Sequence, residues 1–380
     1  MANIFEKFGV YLHVPFCAKP CGYCRFYKKV PNHSDIQYYI DTLRNEVEFF
    51  KNQNTNVKPV NTMFWGGGTP SILTPKQIEE IATIFTDMLP TEEWTVEVSP
   101  STITQEKLAT FKSVGVTRIS LGVQSFSDST LQHLGRAHSL EKTLKAIDLI
   151  GESNFQHFSL DLIFGASGQT EDDFRKDLEC AVATPVDHIS AYCLEFESGT
   201  SACAGLKTDA DLEKNSLDAD LFLTTMDTLS EFGFTQYEIS NYARTQQAQC
   251  LHNLSTWHMA EWIGFGPSGA SQFNGRRFRN APMLKTWANG IQNKSPNLED
   301  IVLLDDEEMF SSALIFGLRM NQGINFNQLC QRFPNADALQ YIQPLKNLEQ
   351  ENLLTITNNQ IALTKLGRLY ADSIAVELLP

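Results

Sequence analysis

Six short runs rich in β-branched and aromatic residues, at 10–14, 62–65, 94–98, 118–123, 158–164 and 188–194, are separated by segments with helical periodicity. Such repeated βα units require a parallel sheet, because a strand rejoins its neighbour in the same direction only through a crossover. Helices are predicted over 35–52, 74–89, 104–113, 140–151 and 170–183. Capping residues support several of them: Thr74 stands before Pro75 and Thr170 before Glu171, whereas Thr104 has Lys107 rather than an acid three residues on. The alternation by itself fits a barrel and a doubly wound open sheet equally.

Further on, a long amphipathic helix is expected over 209–233 and a glycine-rich loop region over 264–275. Past Pro296 the texture changes, with helical segments at 305–320, 335–352 and 364–378 around two candidate strands, 353–357 and 360–363, joined through Asn358-Asn359. Helices with a small hairpin resemble a winged-helix module, here too poor in basic residues to favour DNA, so a lid or structural role is expected. The expected organisation is a barrel-type domain over 1–240, a connecting region over 241–300 and a helical C-terminal domain over 301–380.

Of the 380 residues, 30 are Lys or Arg and 45 are Asp or Glu, a net charge of −15. Tight phosphate-backbone binding depends on concentrated cations, so nucleic acid is not an expected partner. No apolar run reaches membrane-spanning length, and residues 1–7 lack a signal-peptide core, so a cytoplasmic protein is expected.

Of the eight cysteines, Cys17, Cys21 and Cys24 fall within eight residues, directly after the first strand, and the others are scattered. In a reducing compartment that clustering points to metal rather than disulfide. One loop with this spacing can wrap three thiolates around an iron–sulfur cluster and leave one iron free. A zinc site would want a fourth nearby ligand; His13 and His33 are the nearby histidines, and no later CxxC offers a partner.

The CxxxCxxC pattern, with the aromatic Tyr23 before its last cysteine, resembles the signature of the radical S-adenosylmethionine (SAM) superfamily. Tyr11-Leu12-His13-Val14-Pro15-Phe16-Cys17, Trp65-Gly66-Gly67-Gly68-Thr69-Pro70, Gly122-Val123-Gln124-Ser125-Phe126, Leu134-Gly135-Arg136 and Tyr237-Glu238-Ile239-Ser240-Asn241-Tyr242 resemble the HemN/HemW family. That family holds the oxygen-independent coproporphyrinogen III oxidases and related haem chaperones. The likeness runs from about residue 9 to 275, with a weaker match beyond.

The resemblance implies an α/β fold, a partial (β/α)6 TIM-like barrel with a C-terminal helical, winged-helix-like domain. It implies a four-iron four-sulfur (4Fe-4S) cluster on Cys17, Cys21 and Cys24, with SAM chelated by the open iron. Gly67, Gly68 and Thr69 would bind the SAM amino group, the glycines letting backbone amides come close. Glu97 would contact SAM, the alternative being an outward, solvent-facing side chain, and Gln124 would end the fourth strand. Arg136 would reach back as a carboxylate clamp, Asp161 would contact ribose or SAM, and Tyr11 and Tyr23 would pack near the cofactor. By the same resemblance the reduced cluster cleaves SAM to a 5′-deoxyadenosyl radical, which needs a closed barrel mouth.

Two features favour the chaperone branch. The oxidases resemble CxxxCxxCxC behind an N-terminal extension, but here Phe26 takes the fourth cysteine's place and sixteen residues precede Cys17. His252-Asn253-Leu254-Ser255-Thr256-Trp257 resembles the HNxxYW motif associated with haem binding, making His252 a candidate axial ligand and Cys250 a weaker one. A loop histidine bonded to its neighbours is the alternative for His252. Thr256 in place of the motif's Tyr, Arg25 after the third cysteine, and Ala166-Ser167 in place of Leu-Pro depart from the pattern. The expectation is a haem-binding protein that delivers haem to acceptor proteins, with transient contact at the cytoplasmic membrane face and an electron donor for its cluster. The alternatives are an enzyme converting two propionates of coproporphyrinogen III to vinyls and a radical SAM enzyme acting on another tetrapyrrole.

Overall fold

A computed structural model describes residues 6–24, 26–194 and 210–379; Arg25 and Cys203 lie outside the described residues. Strands β1 (Phe8–Val14), β2 (Thr62–Gly67), β3 (Glu93–Val98), β4 (Arg118–Gln124), β5 (His157–Phe164) and β6 (His188–Cys193) pair in sequence order, each parallel to the next. Helices α1 (His33–Gln53), α2 (Pro75–Ile84), α3 (Gln105–Val114), α4 (Asp128–His133), α5 (Leu140–Glu152) and α6 (Glu171–Val182) connect them. The expected partial barrel of six βα units is the architecture of the protein. Thr74 and Thr170 cap α2 and α6, each inside a reciprocal capping box.

After α7 (Ala210–Glu231) the chain adds β7 (Thr235–Glu238), β8 (Asn241–Ala243), α8 (Leu251–Trp257), β9 (Glu261–Phe265), β10 (Ala270–Phe273), β11 (Arg276–Asn280), α9 (Leu284–Gln292) and β12 (Leu298–Leu303). The region 264–275, expected as a glycine-rich loop, is largely strand. β9 lies parallel to β1 as a seventh parallel strand, and β10 turns back along it. Gly264 stands there because β10 comes so close that a Cβ would sit 2.3 Å from Ala270 O. Among the described residues the main sheet runs β12-β11-β10-β9-β1-β2-β3-β4-β5-β6-β8-β7 and stays open, with β12 and β7 at its edges.

Side chains alternate along the parallel strands in a way that sets the interior. On β3, Trp94, Val96 and Val98 join the hydrophobic core, while Glu93, Thr95 and Glu97 occupy the other face. On β4, Ile119, Leu121 and Val123 do the same against Arg118, Ser120 and Gly122, and on β5 Phe158, Leu160 and Leu162 against Ser159 and Asp161. The apolar face packs with the surrounding helices, and the polar face lines the barrel's cavity.

The C-terminal domain comprises α10 (Asp306–Arg319), β13 (Ile324–Asn325), α11 (Phe326–Arg332), α12 (Ile342–Gln350), β14 (Leu354–Thr357), β15 (Gln360–Leu363), α13 (Lys365–Leu369) and α14 (Ala371–Glu377). Its core of Phe310, Leu314, Leu345, Leu348 and Ile374 is separate from the barrel's. The expected hairpin forms, and Asn358 and Asn359 both take positive φ (51° and 63°), as a two-residue primed turn demands. The predicted helix over 335–352 begins only at Ile342, and that over 364–378 is broken at Tyr370. This domain joins the barrel by Ile239 N donating to Arg319 O (3.1 Å) and Asn321 N to Tyr237 O (3.0 Å).

One buried carboxylate ties the added strands to α1. Glu46 accepts Gly266 N (2.8 Å), Asn280 Nδ2 (2.7 Å) and Trp287 Nε1 (2.9 Å), and burial raises its pKa to about 7. Glu46→Gln puts an amide N–H against groups that are themselves donors. The variant should lose about 1–3 kcal/mol, read as a lower urea midpoint with an unchanged slope.

Candidate functional site

The loop between β1 and α1 carries Cys17, Cys21 and Cys24, all free and partly exposed. It is anchored at both ends: Lys29 N donates to Pro15 O (2.7 Å) and Cys17 N to Lys29 O (3.1 Å). The loop leaves the C-terminal end of β1 and borders an open cavity of about 2440 Å3, well above the roughly 300–1,000 Å3 of a single small-molecule site. Cys17 Sγ lies 3.6 Å from Thr69 Oγ1, Arg136 Nη1 donates to Cys21 Sγ (3.3 Å), and burial pushes the Cys17 thiol up. Among the described residues no three Cys, His, Asp or Glu groups close on a single ion position. An iron–sulfur cluster binds each thiolate through a different iron, and three thiols carried on one loop suit that donor set.

Tyr11, Tyr23, Gly67, Gly68, Thr69, Glu97, Gln124, Arg136 and Asp161 line the same cavity. Gly67 N donates to Glu97 Oε2 (3.2 Å), Gly68 N to Val14 O (2.9 Å) and Thr69 N to Phe16 O (2.7 Å). These amides are engaged within the protein, and an ammonium, itself a donor, would be met by carbonyl oxygens rather than by N–H groups. Glycine at 68 has a separate cause, since a Cβ would lie 2.5 Å from Val14 O and 2.6 Å from Phe16 O. Gln124 ends β4 at φ 70°, beside a register shift in the β4–β5 pairing. Arg136 donates to Cys21 Sγ, Tyr23 OH (3.3 Å) and Gly122 O (3.3 Å), which places its guanidinium between the cysteine loop and β4.

Glu97 and Asp161 point into the barrel, not out to bulk solvent. Burial, reinforced by the nearby Asp161 charge, raises Glu97 to about 8. Burial raises Asp161 to about 6 against hydrogen bonds from Ser190 and Ser120, the latter at 3.0 Å. Tyr11 OH meets His13 Nδ1 (3.2 Å), whose Nε2 meets Tyr27 O (3.0 Å), and burial lowers His13 to about 4. Tyr27 escaped the sequence reading, and His13, weighed there only as a nearby histidine for zinc, shares the inner face of β1 with Tyr11.

His252 borders this cavity too, but it sits by the opposite, N-terminal ends of the strands. Its Nδ1 meets Thr62 Oγ1 (2.9 Å) at the start of β2, its ring packs on Phe64 at 5.4 Å, and burial lowers it to about 4. A neutral imidazole with Nδ1 engaged is the form that can ligate through Nε2. Cys250 also lines the cavity; its thiol donates to Glu93 Oε1 (3.5 Å), and burial pushes its pKa well up.

The sequence reading also missed what holds His252. Glu93 pairs with Arg118 (3.1 Å), both essentially buried, and accepts Leu251 N (3.0 Å) and His252 N (3.0 Å). Arg118 continues to Ser159 Oγ (3.3 Å) and Gln249 O (3.1 Å). The pair fixes segment 249–252 across the barrel's lower end. Its signal in the sequence is a charged residue opening each of two strands whose alternate residues are apolar.

Residues 11–181 match the radical SAM superfamily and residues 304–370 the HemN C-terminal domain. The chain is 30% identical to Heme chaperone HemW of Mycobacterium tuberculosis, over 98% of its own length and 95% of that relative. It is 28% identical to Heme chaperone HemW of Bacillus subtilis, over 96% and 97%. It is also 28% identical to a Danio rerio protein named radical S-adenosyl methionine domain-containing protein 1, mitochondrial, over 98% and 86%. Among solved structures, coproporphyrinogen III oxidase (HemN) of Escherichia coli superposes with a TM-score of 0.85 at 22% identity, covering 99% of this chain and 91% of that one, which shows a shared fold.

The raised carboxyls have a sign. The folded protein keeps protons on Glu97 and Asp161 that the unfolded chain releases near pH 4, so stability falls as pH rises toward their folded values of about 8 and about 6. Glu97→Gln copies the protonated form and should flatten the decline of Tm between about pH 6 and 8 in the cofactor-free protein. An unchanged slope in thermal melts would mean that Glu97 ionises normally.

Proposed function

Because the chain belongs to the radical SAM superfamily and, within it, to the HemN/HemW family, we propose that it is a haem-binding chaperone that carries a SAM-chelating 4Fe-4S cluster and delivers haem to acceptor proteins. The observation that carries this reading is the arrangement of one cavity, with three thiols of a single loop at one end and the imidazole of His252 at the other. Support comes from relatives named Heme chaperone HemW that match the chain almost end to end, and from Phe26 standing two residues after Cys24.

In this reading Cys17, Cys21 and Cys24 bind the cluster, and the cluster with SAM supplies one-electron chemistry when bound. Tyr11, Tyr23, Gly67, Gly68, Thr69, Glu97, Gln124, Arg136 and Asp161 form the SAM side of the cavity. Arg136 steadies the loop through Cys21 and Tyr23. Glu97 and Asp161 can each present a protonated carboxyl to a ligand hydroxyl or a carboxylate to a cationic ligand, and their raised pKa values put that choice close to neutral pH. Thr62 orients the ring of His252 through Nδ1, and Glu93 holds the backbone that carries it. An electron donor, haem-acceptor proteins and transient contact with the cytoplasmic membrane face complete the proposal. Among the described residues no helix is long and apolar enough to cross a membrane.

The test is anaerobic, with cluster-reconstituted protein. Haem should bind stoichiometrically with a shifted Soret band, His252→Ala should remove that shift, and Cys17→Ala should lower the bound iron and sulfide. Coproporphyrinogen III with SAM and a strong reductant should yield no decarboxylated porphyrin. Accumulation of that product together with 5′-deoxyadenosine would replace the chaperone by the oxidase and return His252 to a structural role.

A further inference from the structure

The C-terminal domain reaches the cavity through Arg319, the last residue of α10, and through segment 368–373. Both of its cavity-lining arginines are tied to segment 236–239 of the barrel. Arg319 O accepts from Ile239 N (3.1 Å), and Arg368 Nη1 donates to Gln236 Oε1 (2.6 Å). The Arg319 guanidinium lies 5.0 Å over the Trp257 ring, and its ion pair is with Asp372, a side chain 81% exposed and so well screened by solvent. Arg368 has no carboxylate within ion-pair distance among the described residues; its other bond is from Nε to Thr364 O (3.4 Å), and burial lowers its pKa.

Two further cavity-lining groups are incomplete. Asn241 is 3% exposed with Oδ1 unbonded, and Trp257 Nε1 is buried without an acceptor. Glu238, the nearby buried acid, accepts from Ser240 N (3.2 Å) and Asn241 Nδ2 and also feels the charge of Arg319, without an ion pair to it. The cavity wall at this seam thus offers two guanidinium groups and two aromatic rings, Trp257 and the half-exposed Tyr370. Guanidinium groups bind carboxylates through paired planar hydrogen bonds, and aromatic rings suit a flat apolar body.

We propose that Arg319 and Arg368 form a carboxylate subsite that receives the propionate arms of a tetrapyrrole at the seam between the barrel and the C-terminal domain. This rests on the reading of the cavity as a haem site, but it does not require iron ligation by His252. The experiment is therefore fluorescence titration of the full-length protein with iron-free protoporphyrin IX and with its dimethyl ester. The wild-type protein is expected to prefer the free acid. Arg319→Gln and Arg368→Gln should each weaken the free acid about tenfold or more and leave the ester unchanged, with Lys at either position recovering part of the loss. The ester titration doubles as the control for folding.

Equal wild-type affinity for acid and ester, the same loss for both ligands in the variants, or no binding of either porphyrin overturns the subsite. His252→Ala separates the two readings, because it should alter the haem spectrum and keep the acid-over-ester preference for the iron-free ring. An unaltered haem spectrum in that variant would overturn iron ligation and leave the subsite standing.

Discussion

Every parallel strand of this barrel has to satisfy two opposite surroundings at once. Its outer residues meet helices and must be apolar; its inner residues face the cavity. In an ordinary eight-stranded barrel, bulky branched side chains pack that interior solid. Here the inner positions of β3 to β6 hold Thr95, Ser120, Ser159 and Ser190, with Gly122 among them, so there is too little volume to fill the centre. The cavity follows from that choice of small polar residues, and so does the cost of placing Glu97 and Asp161 in it. Glu97, without a cationic partner, is tolerated there by keeping its proton to about pH 8, and Asp161 by the hydrogen bonds of Ser190 and Ser120 and the charge of Arg136.

The floor of the barrel solves a related problem by a different device. Glu93 and Arg118 are buried together, and between them they engage the backbone at Gln249, Leu251 and His252. A buried ion pair is a poor source of net stability, but it is selective about geometry, since removing either partner strands the other charge. The pair thus positions the start of α8, which presents His252 from below while the cysteine loop stands at the other end. The C-terminal domain holds the same region from outside, through Arg319 against Ile239 and Trp257.

The six strands could be read from the sequence because period and capping agree there, as at Thr74 and Thr170. The added strands could not. Gly264 and Gly266 read as loop residues, whereas Gly264 lets two strands approach and Gly266, at φ 85°, turns the chain under α1. The helix expected from 335 starts seven residues late, because Pro344 lacks an amide proton and fits only the first turn of α12. The cysteine trio was legible as a ligand set since its spacing is local. Partners that arise only on folding were not: Thr62 is 190 positions from His252, and Glu93 is 25 from Arg118. The acceptors of the Gly67 and Gly68 amides, Glu97 and Val14, likewise come together only on folding.

The open edge at β12 has a consequence of its own. Ile301 and Leu303 are 56% and 68% exposed on a strand that has a neighbour on one side only. Such a ribbon invites strands from other molecules to continue the sheet indefinitely. Asp300 interrupts it with a left-handed backbone (φ 53°), the β11–β12 pairing slips between Arg277 and Arg279, and Arg279 holds Glu299 and Asp300. The kink spoils the straight hydrogen-bonding rail that an incoming strand would need, so this irregularity protects the molecule against fibre-like growth.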